Sequence, residues 1–186
     1  MPLVPYADIE ALPEKAREAY DRLPRKLNIF RMWANAPETF RAGLRLGGVI
    51  LSKQKLAPDL RELVILLAAK LTAGGEYEWV QHVPIAEGVG CTREQIAAVE
   101  RSDVRAACFD ARQSGLLVFA KDVIENAKGS EETVREAAKH FSPQELVETI
   151  LTAGFYMTLA RLTETMRVDV DPPAGSDVIR SLGENS

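Results

Sequence analysis

Residues that commonly carry redox or metal chemistry are scarce in this chain: two cysteines, Cys91 and Cys108, and two histidines, His82 and His140. Neither cysteine stands in a CxxC, and two are too few for a disulfide framework, so a reduced, cytoplasmic compartment is expected. An excess of basic charge is also missing. Lys and Arg total 23 against 27 Asp and Glu, a net charge of −4, which argues against nucleic acid as a partner. The longest apolar run, Leu63–Ala69, is about a third of the ~20 residues a membrane span needs, so no membrane partner is expected. The opening MPLVPYADIE has no basic stretch followed by an apolar one, and a secretory signal is not expected either. Neither GxGxxG nor GxxxxGK[ST] occurs, which leaves dinucleotide and P-loop readings without support. A nucleophile elbow for a Ser-His-Asp arrangement is likewise missing.

What is present suits one globular domain of 186 residues, 46% apolar and 27% charged. Strand-like alternation is hard to find, whereas helical spacing is not. After Pro58, the residues Leu60, Leu63, Val64, Leu67 and Leu71 fall on one helix face. Ile65, Leu66 and Ala69 add apolar surface on other sides, so this helix is expected to be central and nearly enclosed. Glycines fence the next block, Glu76–Glu87. Thr92 and Gln95 then form a capping box, and Leu116–Ala127 reads as a further amphipathic helix ending near Lys128-Gly129. Ser130 can cap a short helix. Ser142-Pro143-Gln144-Glu145 starts a long one that runs to about Met166, with Leu146, Ile150, Met157 and Leu162 as core candidates. Helices are also expected near Pro13–Arg22 and Pro37–Leu51. After Asp169 a loop with one short terminal helix is expected. The fold class is all-α.

The candidate chemistry centres on His82, since His140 lies at a helix end where a structural or surface role suffices. Glu78 and His82 are four apart on a helix and so share a face. A carboxylate beside an imidazole can fix its tautomer, as proton transfer requires, although a plain surface pair has the same spacing. Pro84 follows in mid-helix, where it costs about 3 kcal/mol, so either a pocket wall or a simple bend against a neighbouring helix has overruled local preference. Glu62, in line with Ile65, Leu66 and Ala69, is either exposed in a first turn or buried and partnered. If its helix packs antiparallel to that of His82 across Gly74-Gly75, the two side chains can approach each other. Two carboxyl groups flanking an imidazole in a partly apolar cavity would then supply an acid and a base. One His and two Glu lack any HExxH or two-His pattern, and no metal is expected.

The stretch Arg61–Val99, RELVILLAAKLTAGGEYEWVQHVPIAEGVGCTREQIAAV, resembles the carboxymuconolactone decarboxylase family. The features that carry it are R-E-x-x-I-L, then E-Y-E-W-x-x-H-x-x-x-A, then a glycine and a short helix. Looser similarity covers Phe30 to Met166. The resemblance implies an AhpD-like helical bundle with an added N-terminal helical segment. That divides a single domain 1–186 into an extension at 1–52, a core at 53–168 and a tail at 169–186. Peroxidase members use a CxxC upstream of the histidine. Here the two cysteine positions hold Gly75 and Glu78, and Cys91 and Cys108 lack the spacing, so thiol peroxidase activity is disfavoured.

Decarboxylase members lack those cysteines and place a glutamate four residues before the histidine, as Glu78 stands to His82. This implies cofactor-free proton chemistry by a lyase or isomerase, of carboxy-lyase type, on an unsaturated carboxylic acid or lactone. His82 would shuttle the proton, Glu78 would orient it, and Glu62 would supply a second acid. The alternative is a non-catalytic protein that binds an apolar or aromatic small molecule. Trp33, Tyr77 and Trp79 are candidate walls for the ligand in either case. The resemblance also implies a homo-oligomer, a trimer, hexamer or dimer.

Overall fold

The structure, a computed structural model, describes residues 1–72 and 75–173. Among them the regular structure is entirely helical: α1 Glu14–Asp21, α2 Asn28–Trp33, α3 Pro37–Ser52, α4 Pro58–Leu71, α5 Glu76–Gly88, α6 Arg93–Glu100, α7 Ala111–Asn126, α8 Glu131–Ala137 and α9 Pro143–Met166. Gly74 and the terminal helix expected in the tail lie outside the described residues.

The hydrophobic spacing after Pro58 produces the centre of the molecule. Every residue from Leu60 to Ala69 is buried, and α4 packs against α5, α6, α7 and α9. A helix apolar on all sides reaches low free energy only when surrounded, so α4 organises the others. The capping boxes of α6 and α9 form as read: Thr92 Oγ1 accepts from the Gln95 amide, and Ser142 Oγ from the Glu145 amide. A third box, Asp110 with Gln113, starts α7 earlier than its apolar stripe indicates. Ala127 ends that helix in the left-handed region at φ 61° instead of continuing it. The six-residue helix α2 is too short to leave a periodic signal in the sequence.

One expectation for α9 needs correction. Its buried face is Thr149, Thr152, Ala153, Tyr156, Leu159, Ala160 and Thr163, while Ile150 is exposed and Leu146, Met157 and Leu162 are half-buried. Threonines can occupy this interior because the hydroxyls of Thr149 and Thr163 donate to carbonyls within the helix, and that of Thr152 pairs with Gln54. Apolar side chains are consequently displaced outward, with Val147, Ile150 and Leu151 exposed alongside Leu46 and Val49 of α3.

The N-terminal third builds a small cluster of its own. Tyr20, Ala34 and Phe40 are buried, with Trp33 and Leu44 packed against them. It reaches the rest of the molecule through α2 and α3, which pack on α9. Residues after α9 return across the same region. The backbone amide of Asn28 donates to Asp171 Oδ2 at 2.7 Å, and Gln81 Nε2 donates to the Asp171 carbonyl at 2.8 Å. No helix among the described residues is long and apolar enough to cross a membrane.

Candidate functional site

The α4–α5 hairpin brings the predicted residues together. Gly75 sits between the two helices at φ 44°, and a Cβ there would lie 2.2 Å from the Ala69 carbonyl oxygen, so the turn requires glycine. The hairpin sets Glu62 against His82, with Oε2 and Nδ1 2.8 Å apart. Of the two readings open for Glu62, buried and partnered is the one that holds, since its side chain is fully enclosed. The other oxygen, Oε1, takes Arg61 Nε at 3.3 Å. Arg61 is buried as well, so the carboxylate is not left as a lone interior charge. With Nδ1 engaged by Glu62, the nitrogen left for a ligand is Nε2. Tyr156 holds the ring from a further side, packing edge-on with centroids 4.8 Å apart.

Glu78 takes a different role from the expected one. It does not orient His82; Glu62 does. Glu78 Oε2 accepts from Thr163 Oγ1 of α9 at 3.2 Å, and Oε1 is a buried oxygen without a hydrogen-bond partner. Burial pushes its carboxyl up to about 7, against the opposing effect of hydrogen bonds from its own backbone and Thr163. Glu78 can therefore hold a proton near neutrality, while His82 is tied to a buried carboxylate. Two titratable groups one helical turn apart thus have unlike partners, Thr163 for Glu78 and Glu62 for His82.

Both groups line a cavity of about 790 Å³. Its walls come from α5 and α9, which contribute Ile85, Phe155, Tyr156 and Leu159, and from the N-terminal third, which contributes Phe30, Trp33 and Leu51. α5 runs on through Pro84, so His82 and Ile85 face the cavity from either side of the proline. Of the three candidate wall residues, Trp33 and Tyr77 line this cavity. Trp79 does not line it, because it stands about 200° round the helix from Tyr77, and it has the Lys70 ammonium 5.5 Å from its ring centroid. Tyr77 is also fixed structurally: its hydroxyl bonds Asp171 and accepts from the Ile29 amide at 3.3 Å.

Several site residues escaped the sequence reading. Arg61 adjoins Glu62 in the sequence and reads as solvated until α4 is known to be enclosed. Tyr156 and Thr163 lie seven apart on α9, a helical spacing that marks one face. The leucines and Ile150 nearby drew attention to the other. Four arginines of the N-terminal third, Arg22, Arg25, Arg41 and Arg45, also line the cavity. Cys91 lies elsewhere, its Sγ against the Asp59 carbonyl at 3.4 Å and its thiol pushed up to about 12 by burial. His140 is exposed after α8, beside a smaller hollow. No group of three or more His, Cys, Asp or Glu among the described residues is placed to hold a metal ion.

Comparison with known proteins agrees with the resemblance carried by Arg61–Val99. Residues 37–121 match the model of the carboxymuconolactone decarboxylase family. No curated protein matches the chain. Solved structures share its fold. The debrominase Bmp8 is 17% identical over 97% of both chains, with a TM-score of 0.73. A cysteine-to-alanine variant of that debrominase, in complex with 2,3,4-tribromopyrrole, is 16% identical over 98% of this chain and 96% of the other, with a TM-score of 0.72. An uncharacterized peroxidase-related protein with an alkylhydroperoxidase AhpD core, from Ralstonia eutropha JMP134, is 20% identical over 97% of this chain and 95% of its own, with a TM-score of 0.74. The fold is AhpD-like.

Proposed function

From a carboxymuconolactone decarboxylase-family segment over residues 37–121, carried on an AhpD-like fold, we propose a cofactor-free acid/base enzyme, a lyase or isomerase acting on an unsaturated carboxylic acid or lactone. The observation that carries this reading is the 2.8 Å contact between His82 Nδ1 and the fully buried Glu62, on the wall of a cavity large enough for a small organic molecule.

The residues divide the work by their surroundings. His82 Nε2 is the base: it removes a proton from carbon next to the substrate carbonyl, and the C–H electron pair moves into that carbonyl as an enolate. The imidazolium so formed keeps its Nδ1–H toward Glu62, whose carboxylate stabilises the positive charge without taking the proton. Glu78, protonated near neutrality and with an unpartnered Oε1, gives its proton to the developing anion. Returning the proton from His82 to a different carbon, while the enol O–H gives its proton back to Glu78, completes an isomerisation. In a decarboxylation the C–CO2 bond breaks instead, carbon dioxide leaves, and the resulting enolate takes its proton from Glu78. Glu78 and His82 thus hold the acid and base roles, and Glu62 and Tyr156 position the imidazole. The exposed apolar side chains on α3 and α9 support self-association of the chain through its helices.

Thiol chemistry has less support. The positions that hold cysteines in peroxidase members are Gly75 and Glu78, and neither Cys91 nor Cys108 lines the cavity. The test is turnover of carboxylated lactones and organic peroxides by the wild type and by His82→Gln. The variant is expected to keep its helicity and to lose roughly 10²–10⁴-fold of the lactone activity. Unchanged turnover in His82→Gln, or activity on peroxides alone, overturns the reading.

A further inference from the structure

The protein is acidic overall, but its cavity is not. The charged side chains that line it are Arg22, Arg25, Arg41 and Arg45 against a single carboxyl group, Glu78, with His82 beside it. The chain holds more acidic than basic residues. A lining so biased toward arginine is therefore imposed by the tertiary arrangement, not by composition. Because burial keeps Glu78 partly protonated near neutrality, it offsets little of this positive field.

The arginines come from two places in the N-terminal third. Arg22 caps the C-terminal end of α1 and Arg25 follows it in the loop to α2. Arg41 and Arg45 are one turn apart on α3 and so share a face. Arg22, Arg25 and Arg45 are exposed and Arg41 is half-buried, which puts them where the cavity meets solvent. Arg22 is paired with Glu18 at 3.1 Å and Arg41 with Glu38 at 2.9 Å. Arg25 and Arg45 have no ion-pair partner among the described residues. The same cavity is lined by Trp33 and Phe155, in ring contact at 6.1 Å.

We propose that the cavity takes an amphipathic organic anion whose flat apolar body lies along Trp33 and Phe155, with its anionic group held at the mouth by Arg25 and Arg45. The guanidinium fork suits carboxylate, sulfonate or phosphate, and the aromatic wall suits a planar body. The proposal rests on the reading that this cavity is the substrate site, and it adds the substrate's shape. The anionic group is a handle at the solvent end, separate from the carbon that reacts at His82. It also gives the N-terminal third a task, which is to read the charge of what enters.

Two dyes with the same anilinonaphthalene body test this on the full chain. One is 1-anilinonaphthalene-8-sulfonate, and the other is the uncharged N-phenyl-1-naphthylamine. The wild type is expected to bind the sulfonate roughly tenfold more tightly, and raising salt from about 20 to about 500 mM is expected to remove most of that preference. An Arg25→Gln/Arg45→Gln double variant is expected to lose about tenfold in sulfonate affinity, with the neutral dye within about twofold of wild type. Ile85→Trp, which fills the cavity, is expected to weaken both dyes.

Equal sulfonate affinity in wild type and double variant overturns the proposal, as does wild-type indifference between the dyes. Full binding in Ile85→Trp, which would place the dyes on another surface, also overturns it. His82→Gln is read by turnover alone, and the arginine double variant by the dyes alone. Failure of the catalytic reading, seen as turnover retained in His82→Gln, is thereby distinguishable from failure of this one, seen only in the dyes.

Discussion

On the α4–α5 side of the cavity the titratable groups lie out of water, whereas the charges on the α1–α3 side remain in it. Arg61, Glu62, Glu78 and His82 are all buried; Glu62 bonds His82 and Arg61, and Glu78 bonds Thr163 and leaves Oε1 without a partner. Arg22, Arg25 and Arg45 are exposed. In the dry region the Glu62 charge is coupled to both Arg61 and His82, and its deletion is costly. In the wet region each charge is screened and individually dispensable for folding. Chemistry that needs shifted proton affinities belongs on the first side, and recognition of a soluble anion belongs on the second.

The sharpest way to break this contrast is Glu62→Ala. It leaves the buried Arg61 without its counter-charge and His82 without its orienting carboxylate. A loss of about 3–5 kcal/mol is expected in urea unfolding, whereas Arg45→Ala on the wet side is expected to change stability by less than about 0.5 kcal/mol. Similar losses in the two variants would abolish the distinction.

Glu78 sharpens it through pH. Folded Glu78 keeps its proton to about pH 7, while the unfolded chain releases it near the ordinary 4.5. Between those values the folded state binds more protons, so raising the pH costs stability. The difference is fully developed above about pH 7 and amounts to about 3 kcal/mol. Glu78→Gln is expected to remove this fall. Compared across pH 5 to 8, it should be more stable than wild type at the alkaline end and closer to it at the acid end. Parallel stability profiles for the two proteins would show that Glu78 is not the buried acid described.

A smaller loss than that of Glu62→Ala is expected from packing on the α1–α3 side. A Cβ at Gly43 would stand 2.0 Å from Trp33 Cη2, so Gly43→Ala must displace the indole. A cost of about 1–3 kcal/mol is expected, together with a shift of tryptophan fluorescence, and the Glu62–His82 pair is expected to stay intact. A variant with wild-type stability and emission would mean that Trp33 is not seated as a wall.

Much of the dry side is legible in the chain itself. The enclosure of α4 follows from apolar residues on every side of one helix, and a glutamate within such a stripe must find a partner. The i,i+4 spacing of Glu78 and His82 puts both on one helix face, and both line the cavity. It misassigns their relation, because spacing on one helix says nothing about a competitor from the next. Glu62, across the hairpin, takes Nδ1 and leaves Glu78 to Thr163. Trp79 lies outside the lining for a related reason, since residue type alone does not say which way an aromatic on α5 turns.

What the sequence alone determines here is local: helix starts set by capping boxes, an all-helical class set by hydrophobic period, and a central helix set by the lack of any polar face. These depend on contacts within a few residues, which a linear pattern contains. Only the tertiary structure decides which carboxyl group meets the imidazole, which oxygen is left unpaired, and that four arginines of an acidic chain gather at one opening. Those facts come from helices far apart in the chain meeting across a common hollow, where burial changes the proton affinity of a glutamate that its neighbours in sequence leave ordinary.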